Sequence, residues 1–225
     1  MACRYIHSVR MEREQRDKQA YCLDRTVLAL LRRDVGSKKQ RRKEVRMETT
    51  KAIQTRRSVR SYKPGMTVEQ SVLEEILQAA QLAPSWKNSQ TARYYVVHTP
   101  DKMKQVIETG LPEFNQKNCV NCCAIIVTTF VKNRAGFDRE GNPDNELGNE
   151  WGAYDLGLAS ENLILKAQDL GLDSLIMGIR DEKALRQELS IPEDQEVVSV
   201  ISLGYGTEQP EMPKRKELEK VATFF

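Results

Sequence analysis

From Trp151 to Leu170 the chain places Tyr154, Leu156, Leu158, Ala159, Leu163, Ile164, Leu165 and Leu170 around most of a helix's circumference, and Gly171 ends the stretch. A helix apolar on so many sides must be covered on several of them. It therefore predicts a central or subunit-interface helix with other layers packed around it.

The flanking sequence supplies those layers. A short helix is expected through Ala52, Ile53 and Arg56. Thr67 with Gln70 reads as a capping box ahead of Val72, Leu73, Ile76, Leu77 and Ala80, spaced at three and four, and Pro84 stops that helix. Tyr94 to His98 reads as a strand. Thr99 and Pro100 then open a helix to Thr109, with Gly110 after it. Ala124 to Val131, Leu175 to Ile179 and Val197 to Leu203 are further strands, and Glu182 to Leu189 is a helix. Lys132 to Gly148, rich in Asn, Asp and Gly, reads as a long loop of the kind that borders binding sites. The alternation predicts an α/β or α+β fold with helices on both faces of a sheet.

With 225 residues, 40% of them hydrophobic, the chain holds one domain with a substantial core plus an extension. Residues 1–46 carry 14 basic and 6 acidic side chains, a net of +8, so the overall +3 leaves residues 47–225 at −5. The first segment offers only Val27 to Leu31 as an apolar patch and cannot fold alone. It reads as an unstructured or non-native extension. A nucleic-acid-binding arm is the competing reading, and Glu12, Glu14, Asp17 and Asp24 weigh against a transit peptide. The longest apolar run, Cys122 to Val131, suits a buried strand and falls far short of the ~20 residues that span a bilayer. Cys3, Cys22, Cys119, Cys122 and Cys123 are too few and too clustered for a disulfide framework, which points to the reducing cytoplasm.

Several chemistries are hard to build here. His7 and His98 are the only histidines, so no Ser-His-Asp arrangement or zinc tetrad is at hand. Cys119-Val-Asn-Cys122 has metal-like spacing without a second pair, and buried or incidental thiols are the expectation. Gly204-Tyr-Gly206 follows a strand but Gln209 stands where the dinucleotide fingerprint needs Gly, and no Walker A sequence occurs.

Anion chemistry is easier. Arg56, Arg57 and Arg60 around Ser58 concentrate three guanidinium groups on an otherwise acidic part of the chain, and such forks match phosphate oxygens. Pro84-Ser85-Trp86-Lys87-Asn88-Ser89-Gln90 brings amides and hydroxyls together before a strand, where they could bond the edge of a heteroaromatic ring or form a polar turn. Lys214, Arg215 and Lys216 add cations after the last strand.

Arg56-Arg57-Ser58-Val59-Arg60-x-Tyr62, Ala83-Pro84-Ser85-x-x-Asn88-x-Gln90, the apolar helix ending Leu170-Gly171-Leu172, Met177-Gly178 and Lys214-Arg215-Lys216 occur in one order. In that order they resemble the FMN-dependent nitroreductase family from about Met47 to Phe225.

The resemblance implies an α+β, three-layer fold with a mixed central sheet flanked by helices. It also implies a homodimer with an extended C-terminal arm and FMN at the subunit interface. NADH or NADPH would be the electron donor, and nitroaromatics, quinones or similar small electron-poor molecules the acceptors, in a ping-pong exchange through flavin N5. Arg56, Arg57 and Ser58, with Val59 between them and Arg60, would hold the phosphate and ribityl chain, helped by Arg215 with Lys214 or Lys216. Arg60 would lie near flavin N1 and O2, tuning the potential through its charge. Ser85, Trp86, Asn88 and Gln90 would reach the flavin from the partner subunit, and the Met177-Gly178 backbone would lie against the ring. No catalytic side-chain base and no metal are implied. Thr91-Ala92 replaces the Pro-Trp common in relatives, and Trp86-Lys87 replaces small residues, which alters the pocket that selects the acceptor. Flavin-dependent dehalogenation and enone reduction belong to the same fold.

Overall fold

The computed structural model describes residues 48–225. The basic extension, and with it any nucleic-acid arm, lies outside the described residues. In chain order the elements are α1 (Thr49–Thr55), α2 (Gln70–Gln81), β1 (Ala92–Val97), α3 (Pro100–Gly110), α4 (Glu113–Asn118), β2 (Ala124–Val131), α5 (Glu150–Asp169), β3 (Asp173–Met177), α6 (Glu182–Leu189) and β4 (Gln195–Gly204). Two single 3-10 turns, at Trp86–Asn88 and Leu218–Lys220, complete the set.

The fold is α+β in three layers. Within β2, Ile125 and Val127 face one core and Ala124 and Ile126 the other, as the period of two requires. The first core takes Met103 and Val106 of α3 and Leu185 of α6. The second takes Leu73, Ile76 and Ala80 of α2 and Leu163, Ile164 and Ala167 of α5. Every residue of β2 except Val131 is buried, Thr128 and Thr129 included, which accounts for the strand's near-continuous apolar character.

The sheet runs β1-β2-β4-β3, and each neighbouring pair is antiparallel. The expected mixed sheet is thus corrected: among the described residues the parallel pairing is the isolated bridge Ser58↔Ser174. The topology explains the difference. β2 and β3 run parallel to each other and are joined by the α5 crossover, but β4 inserts between them antiparallel to both.

Helix entries also differ from the sequence reading. Glu69, not Thr67, is the N-cap of α2, and no side-chain cap bond forms. Val68 precedes that cap and shares a core cluster with Leu73, five residues on, so a hydrophobic staple sets the entry instead. Thr99 likewise caps α3 without a side-chain bond, though Pro100 takes the expected first-turn position. Gly110 is inside α3 rather than beyond it. A side chain there would collide with Leu185, so the glycine lets α3 and α6 approach. α4 escaped the sequence reading, because its six residues, one phenylalanine among an acid, a lysine and three amides, carry no apolar period.

Candidate functional site

The arginine-rich segment leaves α1 and runs along the free edge of β3. Val59 N–H donates to Ser174 O at 3.1 Å, and Tyr62 pairs with Gly206 beyond the end of β4. This pairing fixes which side chains face inward. Val59 is 1% exposed and belongs to the core, so its contribution to a site is its backbone rather than its side chain. Ser58 and Arg60 stay exposed, and Arg60 Nη1 donates to Ser58 O at 3.3 Å. Arg56 is half-buried, with Nε 4.0 Å from Glu161 Oε1. Arg57 Nη1 donates to Gln54 O at 2.8 Å and to Arg56 O at 2.7 Å, satisfying carbonyls at the end of α1. Its Nε is buried and has no protein partner.

A cavity of about 500 Å³ opens beside Arg57 and Val59, with Asp173 at the start of β3 and Gln209 to Met212 of the C-terminal arm in its wall. Lys214, Arg215 and Lys216 follow that wall directly and are exposed. Tertiary structure therefore brings the arginine segment and Gln209 to Met212, some 150 residues apart in sequence, to one end of β3. At the other end Met177 is buried against Cys119, Sγ to Sδ 3.9 Å, while Gly178 is exposed.

The amide and hydroxyl segment lies elsewhere. Ser85 to Gln90 immediately precede β1, the opposite edge strand. Three inter-strand steps of about 4.8 Å separate the two edges by about 14 Å. Within one chain the structure brings Arg57, Val59 and the arm together, and keeps Ser85, Trp86, Asn88 and Gln90 away from them.

The segment's conformation is tightly held. Lys87, Asn88 and Gln90 all have positive φ, at 45°, 55° and 49°, an uncommon concentration for residues with a Cβ. Ser85 Oγ accepts from Gln90 N–H at 3.1 Å, Trp86 N–H donates to Asp155 Oδ2 at 2.8 Å, and Lys87 Nζ meets Asp144 Oδ2 at 2.7 Å. The Trp86 ring lies 4.6 Å from that of Trp151, which in turn meets Tyr154 edge-on at 5.6 Å. Sequence reasoning missed Asp144, Trp151 and Asp155. An acid set between Tyr154 and Leu156 in the apolar stretch of α5 was the available signal for Asp155.

Unsatisfied polar atoms mark both segments. Among the described residues, six buried side-chain nitrogens or oxygens lack a partner. Arg57 Nε is one, and Trp86 Nε1, Ser89 Oγ, Thr91 Oγ1 and the Tyr94 hydroxyl are four more. Each costs about 1–3 kcal/mol if left so, which is why they concentrate where a ligand or another chain supplies partners. Burial pushes the Tyr94 phenol up to about 12, so it stays a neutral donor.

Burial also holds the Asp155 carboxyl above its ordinary range, against the Trp86 N–H bond that favours the anion. The folded chain then binds a proton that the unfolded chain has released, so stability declines as pH rises through the window between the two pKa values and stays lower above it. Asp155→Asn keeps an acceptor for Trp86 and removes the charge. Its urea midpoint is expected to stay flat across the mildly acidic range where the parent's declines; parallel declines would clear Asp155 as the cause.

No helix among the described residues is long and apolar enough to cross a membrane, and no group of three His, Cys, Asp or Glu is placed to hold a metal ion.

Comparison with known proteins places this geometry. Residues 53–119 and 121–205 match the model of the nitroreductase family. A protein of Archaeoglobus fulgidus named as an NADH dehydrogenase/NAD(P)H nitroreductase is 36% identical over 163 residues, covering 70% of this chain and 85% of its own. An FMN-dependent nitroreductase of Clostridium difficile has a similar solved structure, with a TM-score of 0.59 and 28% identity over 77% of this chain and 96% of its own. A protein of Exiguobacterium sibiricum named as a nitroreductase and solved in complex with FMN reaches a TM-score of 0.70 at 21% identity, over 80% and 98%.

Proposed function

The chain belongs to the nitroreductase family, and from that premise we propose that it is a cytoplasmic, homodimeric FMN-dependent oxidoreductase that uses NADH or NADPH to reduce nitroaromatics, quinones or similar electron-poor acceptors. The observation that carries this reading is the split between the two sheet edges. Cations and a free β3 edge stand at one side, hydroxyls and amides about 14 Å away at the other, and buried polar atoms lacking partners occur in both. A two-fold axis would bring one chain's Ser85, Trp86, Asn88 and Gln90 to its partner's cationic edge.

The residues fit FMN. Arg57 and Arg60, with Arg56 and Ser58, provide donors for a phosphate and its attached polyol, and the Val59 backbone, bonded to Ser174, anchors the segment that carries them. Lys214, Arg215 and Lys216 stand beyond the same cavity wall as further cations. The exposed backbone at Gly178, after buried Met177, lets a flat ring approach the edge of β3 without a side chain between them. FMN held there would supply hydride-transfer chemistry at N5 between a nicotinamide donor and the acceptor. This chain's residues bind and orient the flavin, and the fixed Arg60 charge favours its reduced, anionic form. Trp86, locked by Asp155 and Trp151, and Lys87, latched to Asp144, shape the wall that selects acceptors.

An absorbance spectrum of the purified chain, reconstituted with FMN if colourless, tests this directly. Bands at about 370 and 450 nm that bleach anaerobically with NADH or NADPH are expected of a flavin cofactor. Absence of flavin uptake overturns the reading. Uptake without bleaching by either nucleotide leaves a flavin-binding module and removes the oxidoreductase assignment.

A further inference from the structure

Three cysteines stand where α4 gives way to β2, and the flavin reading uses none of them. Cys119 is the C-cap of α4. The chain then turns sharply, with Asn121 at φ 62° and Cys122 N–H donating to Cys119 O at 3.1 Å. A hydrogen-bonded turn of this kind keeps its first and fourth Cα atoms within about 7 Å, the range a disulfide accepts. Both residues belong to the same buried core cluster.

Cys123 is directed away from this pair. Its thiol donates to Met66 O at 3.4 Å and it belongs to the α2–α5 core, whereas Cys119 and Cys122 belong to the core beneath α3 and α6. The neighbours of the pair suit a nucleophile. The Cys122 thiol and Ser202 both hydrogen-bond Cys119, holding its pKa below the ordinary thiol value against the opposing effect of burial. Hydrogen bonding to Cys119 and burial push Cys122 up. Ser202 Oγ is itself fixed by the Tyr62 hydroxyl at 2.9 Å. A cavity of about 540 Å³ is lined by Cys119, Cys122 and Cys123 together with His98, Lys104, Lys117, Glu108 and Glu113.

We propose that Cys119 and Cys122 form a reversible disulfide, a thiol redox site separate from the flavin, whose oxidant is a small hydroperoxide entering this cavity. The Cys119 thiolate attacks one peroxide oxygen, the O–O bond breaks, and the departing hydroxide or alkoxide takes up a proton to leave as water or alcohol. The sulfur is then a sulfenic acid. Cys122 attacks it, the S–S bond forms, and the sulfenic hydroxyl leaves with the Cys122 proton as water. Two thiols are oxidised and one peroxide is reduced; a dithiol reverses the change by thiol–disulfide exchange. The bond removes the thiol hydrogen that Cys119 offers to Met177 Sδ, and so alters the packing at the end of β3.

The test uses the full chain with Cys3 and Cys22 replaced by Ser, treated with stoichiometric hydrogen peroxide. The expected product is lighter by two hydrogens, loses two of its three titratable thiols under denaturing conditions, and is restored by dithiothreitol. Fragmentation of the tryptic peptide 118–132 should find the missing hydrogens on the Cys122 side of the Cys122–Cys123 bond. Cys123→Ser should retain the loss, and Cys119→Ser and Cys122→Ser should each abolish it. Addition of oxygen without loss of hydrogen, or a disulfide engaging Cys123, overturns the proposal. The peptide map gives this answer even if a variant fails to fold, and it does not depend on flavin binding.

Discussion

Arg57→Ala is expected to bind FMN roughly ten- to a hundred-fold more weakly than the parent chain. The estimate takes hydrogen bonds to a charged group at about 1.5–3 kcal/mol, with about 1.4 kcal/mol for each tenfold change. The structural ground is Arg57 Nε, buried and without a protein partner beside the cavity that Val59 and the C-terminal arm enclose. Arg57 also bonds Gln54 O and Arg56 O, so its loss should lower stability slightly through the end of α1. Flavin affinity, from quenching of flavin fluorescence, is therefore measured alongside the melting temperature of the flavin-free protein. Arg57→Lys, which keeps the charge and loses the fork, is expected to fall between the two. Unchanged affinity in Arg57→Ala would remove the phosphate role from this residue.

Removing residues 211–225 is expected to convert a dimer to a monomer and to abolish flavin retention. In this arm Met212, Leu218, Val221, Phe224 and Phe225 are exposed, as is every other residue but Ala222. Fully burying a large apolar side chain contributes about 1.5–3 kcal/mol, so five together can offset the cost of ordering fifteen residues' worth of arm only against a large partner surface. In the proposed dimer a second copy of the chain would offer that surface, and its cationic β3 edge lacks the hydroxyls and amides held at the β1 edge. Sedimentation of the full chain with and without FMN, and of the truncated chain, distinguishes the cases. Added FMN should also raise the melting temperature and favour the dimer, as ligand linkage requires. A flavin-loaded monomer, or a truncated chain that remains dimeric, would refute the arm's role.

Sequence by itself determined most of the elements and the residue types that could carry chemistry; α4, with no apolar period, emerged only with the tertiary structure. α6 and β2 begin and end where the residues placed them, because Asp181 caps the helix through Ala184 N–H and because a run from Ala124 to Val131 that is apolar but for Thr128 and Thr129, bounded by a cysteine turn, has few other options. Within the chain α5 buries Gly152, Leu156, Ala159, Leu163, Ile164 and Ala167, spaced at three and four along one side, and leaves Tyr154 exposed, so the cover expected on several sides is not supplied by this chain alone. The cationic segment, the amide segment and the order of motifs were legible because each is local, a matter of residue type at fixed spacing.

Only the tertiary structure decided how these pieces meet. Strand order depends on long-range pairing, and nothing local in β4 announces that it inserts between β2 and β3. That insertion puts β1 and β3 on opposite edges and so divides the candidate site. The Val68–Leu73 staple overrode the capping box at Thr67, because burying two side chains against a core outweighs one exposed hydroxyl bond. Val59 went to the core and Arg57 beside it kept a buried nitrogen without a partner, since pairing with Ser174 fixes alternate side chains to opposite sides. Residue types set what this chain can bind; the packing of distant segments set where the binding groups stand.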